Sequence, residues 1–580
     1  MNLPHPNGSP KLSANLPSAD PMHSPAWPGE PSPWRERQLG GSVQWQPWGN
    51  AALTTARALD RPLLLVVASE GCLPFEQMAA ESFADAATAA VMNDGYVCCL
   101  ADARWHRELD RQLQLVHQLL VGRAGGWPLL ALVDPADGRP CFAGTYFPAR
   151  PNGTLPGFAD FLRQAGRHFR RQREPLQEQG QRLATAFAQL VPPPLREGTP
   201  LTASPLDVAR RQLETLFDRD TGTFTRGQPV PAAPAASRLL RHWAAGAARP
   251  EPDLQALFMA TLALTKTLPL TTTLGPSANG PRTGPDAGLP SLELVAFAAA
   301  AAATGEPAFR EAAESGFAAL LQLGLPASAP LPAVEDWHRL RAMALAARWG
   351  DRPDWLQTLN EQATRCRAHH PLTTTPDLAG LAAALAATLA LLELRWSDED
   401  FAFAAATAAA LCAALGAASS SSLLGLPTAP AHADDTLPSA AGTAALALYR
   451  MGCLCGNALW QATARHALRG AWRPMSDTPA THLALLDALE EQTLGLETLV
   501  IRGPADETAR WSRALAHWYA PARQVFAIPA GAPNLPSRLS TLAAPDNDTN
   551  AWLFTGETVH AASISLEQLT RELRDRLHRG

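Results

Sequence analysis

No two cysteines stand at C-x-x-C spacing, although the 580-residue chain carries eight, at positions 72, 98, 99, 141, 366, 412, 453 and 455. No Cys/His group has zinc-ligand spacing either, so a local dithiol centre and a zinc module are both excluded. Scattered thiols without a disulfide framework point to a reducing, cytoplasmic compartment. Lysine is nearly absent, with only Lys11 and Lys266, and arginine supplies the remaining positive charge. The net charge is −6 and no dense basic stripe occurs, which argues against a nucleic-acid partner. The Arg- and Gln-rich stretch 163–182 is broken by Glu174 and Glu178 and reads as a solvated helix face. Long hydrophobic runs are also missing: stretches such as Leu378–Leu392 are Ala-dominated and shorter than a membrane span, so no membrane partner is expected. The first 40 residues have no continuous apolar segment and are expected to form a disordered leader rather than a signal peptide.

What is present begins with Cys72. The run Arg61–Ala68 is almost wholly apolar and reads as a buried strand. It ends at Glu70-Gly71-Cys72, and Pro74–Ala80 then opens a helical pattern. A cysteine at a strand-to-helix turn meets free backbone N–H groups and the positive end of the helix dipole, which favour a thiolate. Position i+3, where a resolving thiol would stand, is Phe75, while Glu70 and Glu76 oppose a negative charge. Cys98 and Cys99 lie on the neighbouring expected strand and are not expected to serve as resolving thiols. Trp127-Pro128 precedes the strand Leu129–Val133, where a cis X-Pro bond facing the cysteine is expected. Asp134–Gly138 is turn chemistry leading into a hairpin strand at Cys141–Phe147. The resulting order, strand–helix–strand–helix–strand–strand–helix, predicts a thioredoxin-like domain over residues 41–195.

Residues 196–495 show no convincing strand and about a dozen helical segments, among them 307–323, 334–349, 376–394, 438–455 and 458–470. Such a series suits an α-solenoid or a toroid of six helical hairpins, and the lack of a fixed-period repeat favours the closed (α/α)6 toroid. Two low-complexity breaks, Thr271–Gly288 and Ala417–Ser422, are expected as mobile loops. Residues 496–580 return to an α/β pattern.

In a toroid, carboxylates and aromatics at the mouth of the central cavity are candidates for acid/base work on sugars. Glu335, Asp336, Trp337 and His338 at a helix start, and Asp434 with Asp435 before Pro438-Ser439, fit that position. Acidic residues at helix starts also serve as ordinary caps. His369-His370 and His432 have no partners at ligand spacing, and Gly503-Pro504 lacks a Gly-rich phosphate fingerprint. No metal or cofactor is expected.

Several motifs occur in order: Trp45-x-Pro47-Trp48-Gly49, Cys72, Met78-x-x-Glu81-Ser82-Phe83-x-Asp85, Gly125-Gly126-Trp127-Pro128-Leu129 and Gly144-Thr145-Tyr146-Phe147-Pro148. Together they resemble the spermatogenesis-associated protein 20-like thioredoxin-domain family. The resemblance implies a thioredoxin-like domain followed by an (α/α)6 region similar to N-acylglucosamine epimerases and six-hairpin glycosidases. Gly222-x-Phe224 and Asp434-Asp435-x-x-Pro438-Ser439 extend it more thinly. Members typically carry Cys-His-Trp-Cys-His-Val-Met at the active turn, where this chain has Cys72-Leu73-Pro74-Phe75-Glu76-Gln77-Met78. The family's His-Phe-Glu-Lys-Met and Thr-Ser-Trp-Asn-Gly segments have no counterpart, and its Cys-x4-Cys pattern falls on Phe554 and Val559. The expectation is a non-catalytic binding or interaction scaffold. Two alternatives stand beside it: a monothiol oxidoreductase using Cys72 with glutathione or a protein thiol, and a sugar-binding or sugar-isomerising toroid. Candidate binding residues are Trp127, Pro128, Glu335, Asp336, Asp434 and Asp435.

Overall fold

The computed structural model describes residues 30, 32–153, 155–190, 193–225, 230–246, 252–272, 289–323, 332–372, 377–416, 423–427, 432–516, 518–542 and 548–577. The first part runs α1 (Pro33–Leu39), β1 (Trp45–Gln46), α2 (Asn50–Leu59), β2 (Leu63–Ala68), α3 (Leu73–Met78), α4 (Ala86–Gly95), β3 (Val97–Asp102), α5 (Arg107–Val121), β4 (Leu129–Val133), β5 (Pro140–Gly144), α6 (Phe158–Arg171) and α7 (Arg173–Leu190). The strands form one sheet in the order β1-β3-β2-β4-β5. β2 pairs parallel with β3 and antiparallel with β4.

Every residue of β2 and β3 is buried, because both faces of the sheet are covered. Period-2 alternation divides them. Leu64, Val66, Ala68, Cys98 and Leu100 face a core with Trp34, Phe75, Phe83 and Phe158. Leu63, Leu65, Val67, Cys99 and Ala101 face the other core with Leu53, Leu113 and Val116. Residues 1–29 and 31 lie outside the described part. The rest of the expected leader is a correction: α1 buries Trp34, whose Nε1 donates to Asp102 Oδ2 at 2.8 Å, and Ser32 Oγ donates to the same oxygen at 2.6 Å. The ordered domain therefore starts before residue 41.

The middle part comprises α8 (Ser204–Leu216), a two-residue-strand hairpin of β6 (Phe217–Asp218) and β7 (Thr223–Phe224), α9 (Ala232–Gly246), α10 (Leu254–Thr272), α11 (Leu289–Thr304), α12 (Pro307–Leu323), α13 (Ala333–Trp349), α14 (Leu356–His369), α15 (Leu378–Leu394), α16 (Asp398–Gly416), α17 (Ala440–Cys455), α18 (Ala458–Gly470), α19 (Trp472–Asp477) and α20 (Leu483–Thr493). The hairpin corrects the expectation of no strand here. The expected mobile loops at 271–288 and 417–422 fall outside the described residues, apart from Thr271 and Thr272, which end α10. Helix α9 packs on α11, α11 on α13, α13 on α15, α15 on α17 and α17 on α20, and α20 packs back on α9. Helices α10, α12, α16 and α18 each pack on two successive members of that series, chiefly on α9, α11, α15 and α17, and α14 packs on α13. Small residues permit close approach: a Cβ on Gly442 of α17 would lie 2.6 Å from Ala484 C and Leu485 N at the start of α20. Among the described residues one helix, α16, is long and apolar enough to cross a membrane by length and composition; here it packs on α15, α17 and α18.

The last part contains β8 (Glu497–Gly503), α21 (Ala505–Ala516), β9 (Arg523–Pro529), α22 (Ser537–Ser540), β10 (Asn550–Thr555), β11 (Thr558–Val559) and α23 (Leu566–Leu577). Its sheet runs β11-β10-β8-β9, with β8 and β9 parallel. Phe554 and Val559, where relatives are expected to carry cysteines, face each other across the β10–β11 hairpin.

These three parts meet at opposite ends of the central helices. At their N-terminal ends, Glu335 of α13 pairs with Arg104 and Arg107 of the first part. Leu424 and Leu426 are fully buried in the sheet core nearby. Burying each such side chain contributes about 1.5–3 kcal/mol. At their C-terminal ends, Trp349 of α13 meets the Tyr519 ring edge-on at 5.6 Å, and Arg450 of α17 donates to Pro521 O at 2.6 Å.

Candidate functional site

Cys72 is the N-cap residue of α3, as the strand-to-helix turn required. It is half-buried and packs against the Trp34/Phe75 face of the sheet. Burial raises its pKa; the Phe75 backbone N–H works the other way, and the Glu76 carboxylate adds to the rise. The dipole argument is thus correct in sign and outweighed by desolvation. Phe75 is not a vacant position. It is 1% exposed, with its ring edge-on to Trp34 at 4.8 Å and tilted against Phe83 at 5.9 Å. The position three residues after Cys72 is filled by a core aromatic. Cys98 and Cys99 are both buried on opposite faces; burial pushes Cys98 up to about 12 and Cys99 well above its ordinary value. Burial disfavours the thiolate at both positions.

The Trp127–Pro128 bond is cis, and Pro128 is buried. The Trp127 side chain, however, packs on the opposite core from Cys72. It lines a cavity of about 550 Å³ between the first and middle parts. Ser69 after β2, and Ala103 and Arg104 after β3, form one wall, so the cavity lies at the carboxyl ends of two parallel strands, a recurrent ligand position in α/β sheets. The facing wall is made by the starts of α13, α15 and α17, through Val334, Leu378 and Ser439. Cys72 is not among the lining residues.

Among the described residues, the arginines of the cavity are ion-paired, whereas Asp110, Asp377 and Asp435 form no ion pair, although Arg107 acts on the first two through space. Arg104 donates to Glu335 Oε2 through Nε at 2.9 Å and Nη2 at 2.6 Å, and Arg107 Nη2 donates to Glu335 Oε1 at 2.9 Å. Arg111 is paired with Glu108 at 2.7 Å. On the acidic side, Asp110 Oδ1 accepts from Trp127 Nε1 at 2.8 Å and from Gln114 Nε2 at 3.3 Å. Burial raises its pKa, and the nearby Asp435 raises it further. Asp377 caps α15 by accepting from Gly380 N at 2.7 Å, and burial raises its pKa too. Asp435 is exposed to the cavity.

The sequence-derived candidates therefore separate. Trp127 and Asp435 meet in the cavity. Glu335 stands behind its wall as an ion-pair hub, and Asp336 is held by Arg339 Nη2 at 2.6 Å and His370 Nε2 at 3.0 Å, so neither is a free acid or base. His370 is half-buried at that contact. His432 is half-buried as well, and burial lowers its pKa to about 4. Asp434 is a structural clamp: Oδ1 accepts from Ser439 N at 2.8 Å and Oδ2 from Ala484 N at 3.0 Å, tying the start of α17 to that of α20. Asp110 and Asp377 were missed; at the start of a helix an acid reads as an ordinary cap or dipole partner, and nothing local marks it as a cavity residue. Among the described residues, no group of three His, Cys, Asp or Glu is placed to hold a metal ion.

Burial raises Asp434 to about 6 in the folded chain, against about 3.9 for an unfolded aspartate. The folded state thus binds the extra proton between those values. Its stabilising contribution is complete below about pH 4 and is lost as pH rises through about 6. In Asp434→Asn, the pH dependence of urea stability between pH 4 and pH 6 should be altered by the loss of that falling contribution. An unchanged profile relative to the parent would refute the assignment.

Comparisons with known proteins support the fold reading. Residues 28–188 match the family model described as "Thioredox_DsbH: Protein of unknown function, DUF255". The chain is similar to spermatogenesis-associated protein 20 of Mus musculus, 26% identical over 247 residues, covering 42% of this chain and 31% of that protein. The Homo sapiens protein of the same name is 26% identical over 216 residues, covering 37% and 27%. An uncharacterized Caenorhabditis elegans protein is 30% identical over 151 residues, covering 26% and 20%. These matches span less than a third of each relative's length.

Proposed function

We propose, from the premise that this chain is a divergent spermatogenesis-associated protein 20-like protein, that it is a ligand-binding scaffold without thiol–disulfide turnover. The observation that carries the reading is the separation of the two features a redox enzyme would join. Cys72 has a raised pKa and a core phenylalanine at i+3 and packs with the Trp34 core, whereas the cavity at the carboxyl ends of β2 and β3 is lined by Trp127 from the opposite core and not by Cys72. A thiol needs its thiolate to attack, so raising the pKa lowers the reactive fraction at neutral pH. All eight cysteines are free, which supports a reducing, cytoplasmic setting.

The helical part is read as an (α/α)6 toroid. Support comes from the neighbour series α9–α11–α13–α15–α17–α20, returning to α9, with α10, α12, α14, α16 and α18 as second layers. In that reading the thioredoxin-like domain covers the mouth of the toroid, and the cavity is the covered mouth. Trp127 beside Asp110, with Asp377 and Asp435 across the space, favours a hydroxyl-rich small ligand such as a sugar: an aromatic face takes C–H surface, and carboxylates accept from hydroxyls. A carbohydrate-active reading is the second one, because Asp110 and Asp435 interact and burial holds Asp110 above the usual carboxylate range.

The test is direct. Purified protein with dithiothreitol should reduce insulin disulfides no faster than dithiothreitol alone, Cys72→Ser should change nothing, and iodoacetamide should alkylate Cys72 more slowly than free cysteine. Turnover above the reagent background that disappears in Cys72→Ser would overturn the scaffold reading.

A further inference from the structure

On α13, Val334, His338, Arg341, Leu345 and Arg348 recur at four- and three-residue steps and so share one face of the helix. Val334 lines the cavity. Arg341 stands seven residues further, about 10 Å along the axis. The charges that act on it are Arg450 of α17, Asp487 and Glu491 of α20 and Arg241 of α9. None of those helices is a principal packing neighbour of α13, which lies against α11, α12, α14 and α15. Arg341 therefore extends away from its own neighbours, toward the middle of the helix series.

Around it lies a dense ion-pair cluster. Arg238 and Arg241 of α9 bind Asp487 and Glu490, Arg241 and Arg450 bind Glu491, and Arg348 binds Glu393. With Arg341 included, five arginines face four carboxylates. Arg341 is the one left over: it makes no hydrogen bond or ion pair among the described residues. It keeps part of its surface accessible, yet desolvation and the like charges of Arg450 and Arg241 lower it to about 10. Neither Arg341 nor His338 is among the residues lining the cavity at Val334; the accessible part of Arg341 lies further along the same face of the helix. One turn nearer the cavity, His338 is 4% exposed, has no hydrogen-bond partner among the described residues, and is held neutral by burial beside Arg341 and Arg107, with a pKa of about 3. An unpaired guanidinium in such surroundings is destabilising unless an anion completes it.

We propose that Arg341 is an oxyanion-binding residue: a small ligand reaching inward from the cavity places a carboxylate or phosphate on its guanidinium, with the unpartnered His338 imidazole as an additional hydrogen-bond partner. The ligand is then polar and hydroxyl-bearing toward Asp110 and Asp435 and anionic at the inner end. The inference deepens the cavity reading and rests on it for the route of entry.

The experiment is unfolding of the full-length protein in increasing inorganic phosphate or acetate, with sodium chloride at matched ionic strength as reference. The parent protein should show saturable stabilisation by at least one oxyanion beyond chloride, and the more effective of the two identifies the anionic group. Arg341→Met should weaken that apparent affinity by about ten- to a hundredfold, the range for a lost charge-assisted hydrogen bond. Without ligand it should be no less stable than the parent, since it removes an uncompensated charge. Should Arg341→Met fail to fold, Arg341→Lys serves instead: the charge persists and the fork is lost, so binding should weaken without disappearing. No oxyanion effect beyond chloride in the parent, or an equal effect in the Arg341 variant, overturns the inference. If Trp127→Ala abolishes an oxyanion response that Arg341→Met retains, the cavity reading stands and the Arg341 assignment falls.

Discussion

Glu335→Gln is expected to lower the unfolding free energy by about 2–3 kcal/mol, and to loosen the contact between the thioredoxin-like domain and the helical part. The carboxylate is 4% exposed and holds two guanidiniums, Arg104 at 21% and Arg107 at 30% exposure. Removing one partner of a fully buried pair leaves an uncompensated charge and costs about 3–5 kcal/mol; the partial exposure of both arginines reduces this toward the lower figure. Urea unfolding measures the first effect, and limited proteolysis of the native protein the second. A control separates charge from packing. The triple variant Glu335→Leu, Arg104→Met, Arg107→Met removes all three charges together and should be much closer to the parent than Glu335→Gln alone, because nothing is left unpaired. If the triple variant is instead the worse of the two, the arginines hold the wall by packing and the ion-pair account fails.

That contact also shows what was legible in the chain. The turn at Cys72 was readable because its determinants are local: an apolar run, Gly71 in the left-handed region at φ +77°, and a proline in the first helical turn. The helices at 307–323 and 458–470 were readable from their periodicity and breaks. Glu335 and Asp336 were noticed as acids at a helix start, but their actual occupation was hidden. The arginines that hold Glu335 lie 231 and 228 residues away in the chain. Trp34 was missed for a compositional reason: it follows a Pro- and Ser-rich segment, and its partner Asp102 is 68 residues distant. Arg341 gave no signal at all, being one arginine in an Ala-rich helix where most arginines are paired. Its significance comes from a mismatch of charges across five helices, which no single segment contains.

Charge balance in that interior gives the largest expected effect. Glu491 is fully buried and accepts from Arg450 Nε at 2.9 Å, Arg450 Nη2 at 2.6 Å and Arg241 Nη2 at 3.0 Å. Glu491→Gln should destabilise the protein by about 3–5 kcal/mol, the cost of stranding buried cations, and shift the urea midpoint without changing the slope. The same change widens the local excess of arginine over carboxylate, so its effect should depend on Arg341. In the double variant Glu491→Gln, Arg341→Met, one positive charge leaves with the negative one, and part of the loss should return. A coupling of about 1 kcal/mol or more in the double-mutant cycle, with the double variant more stable than the sum of single effects, is the expected result. Additive effects would mean that Arg341 does not share the field of Glu491. The cluster would then be a set of closed pairs, with no unmet positive charge for a ligand to complete.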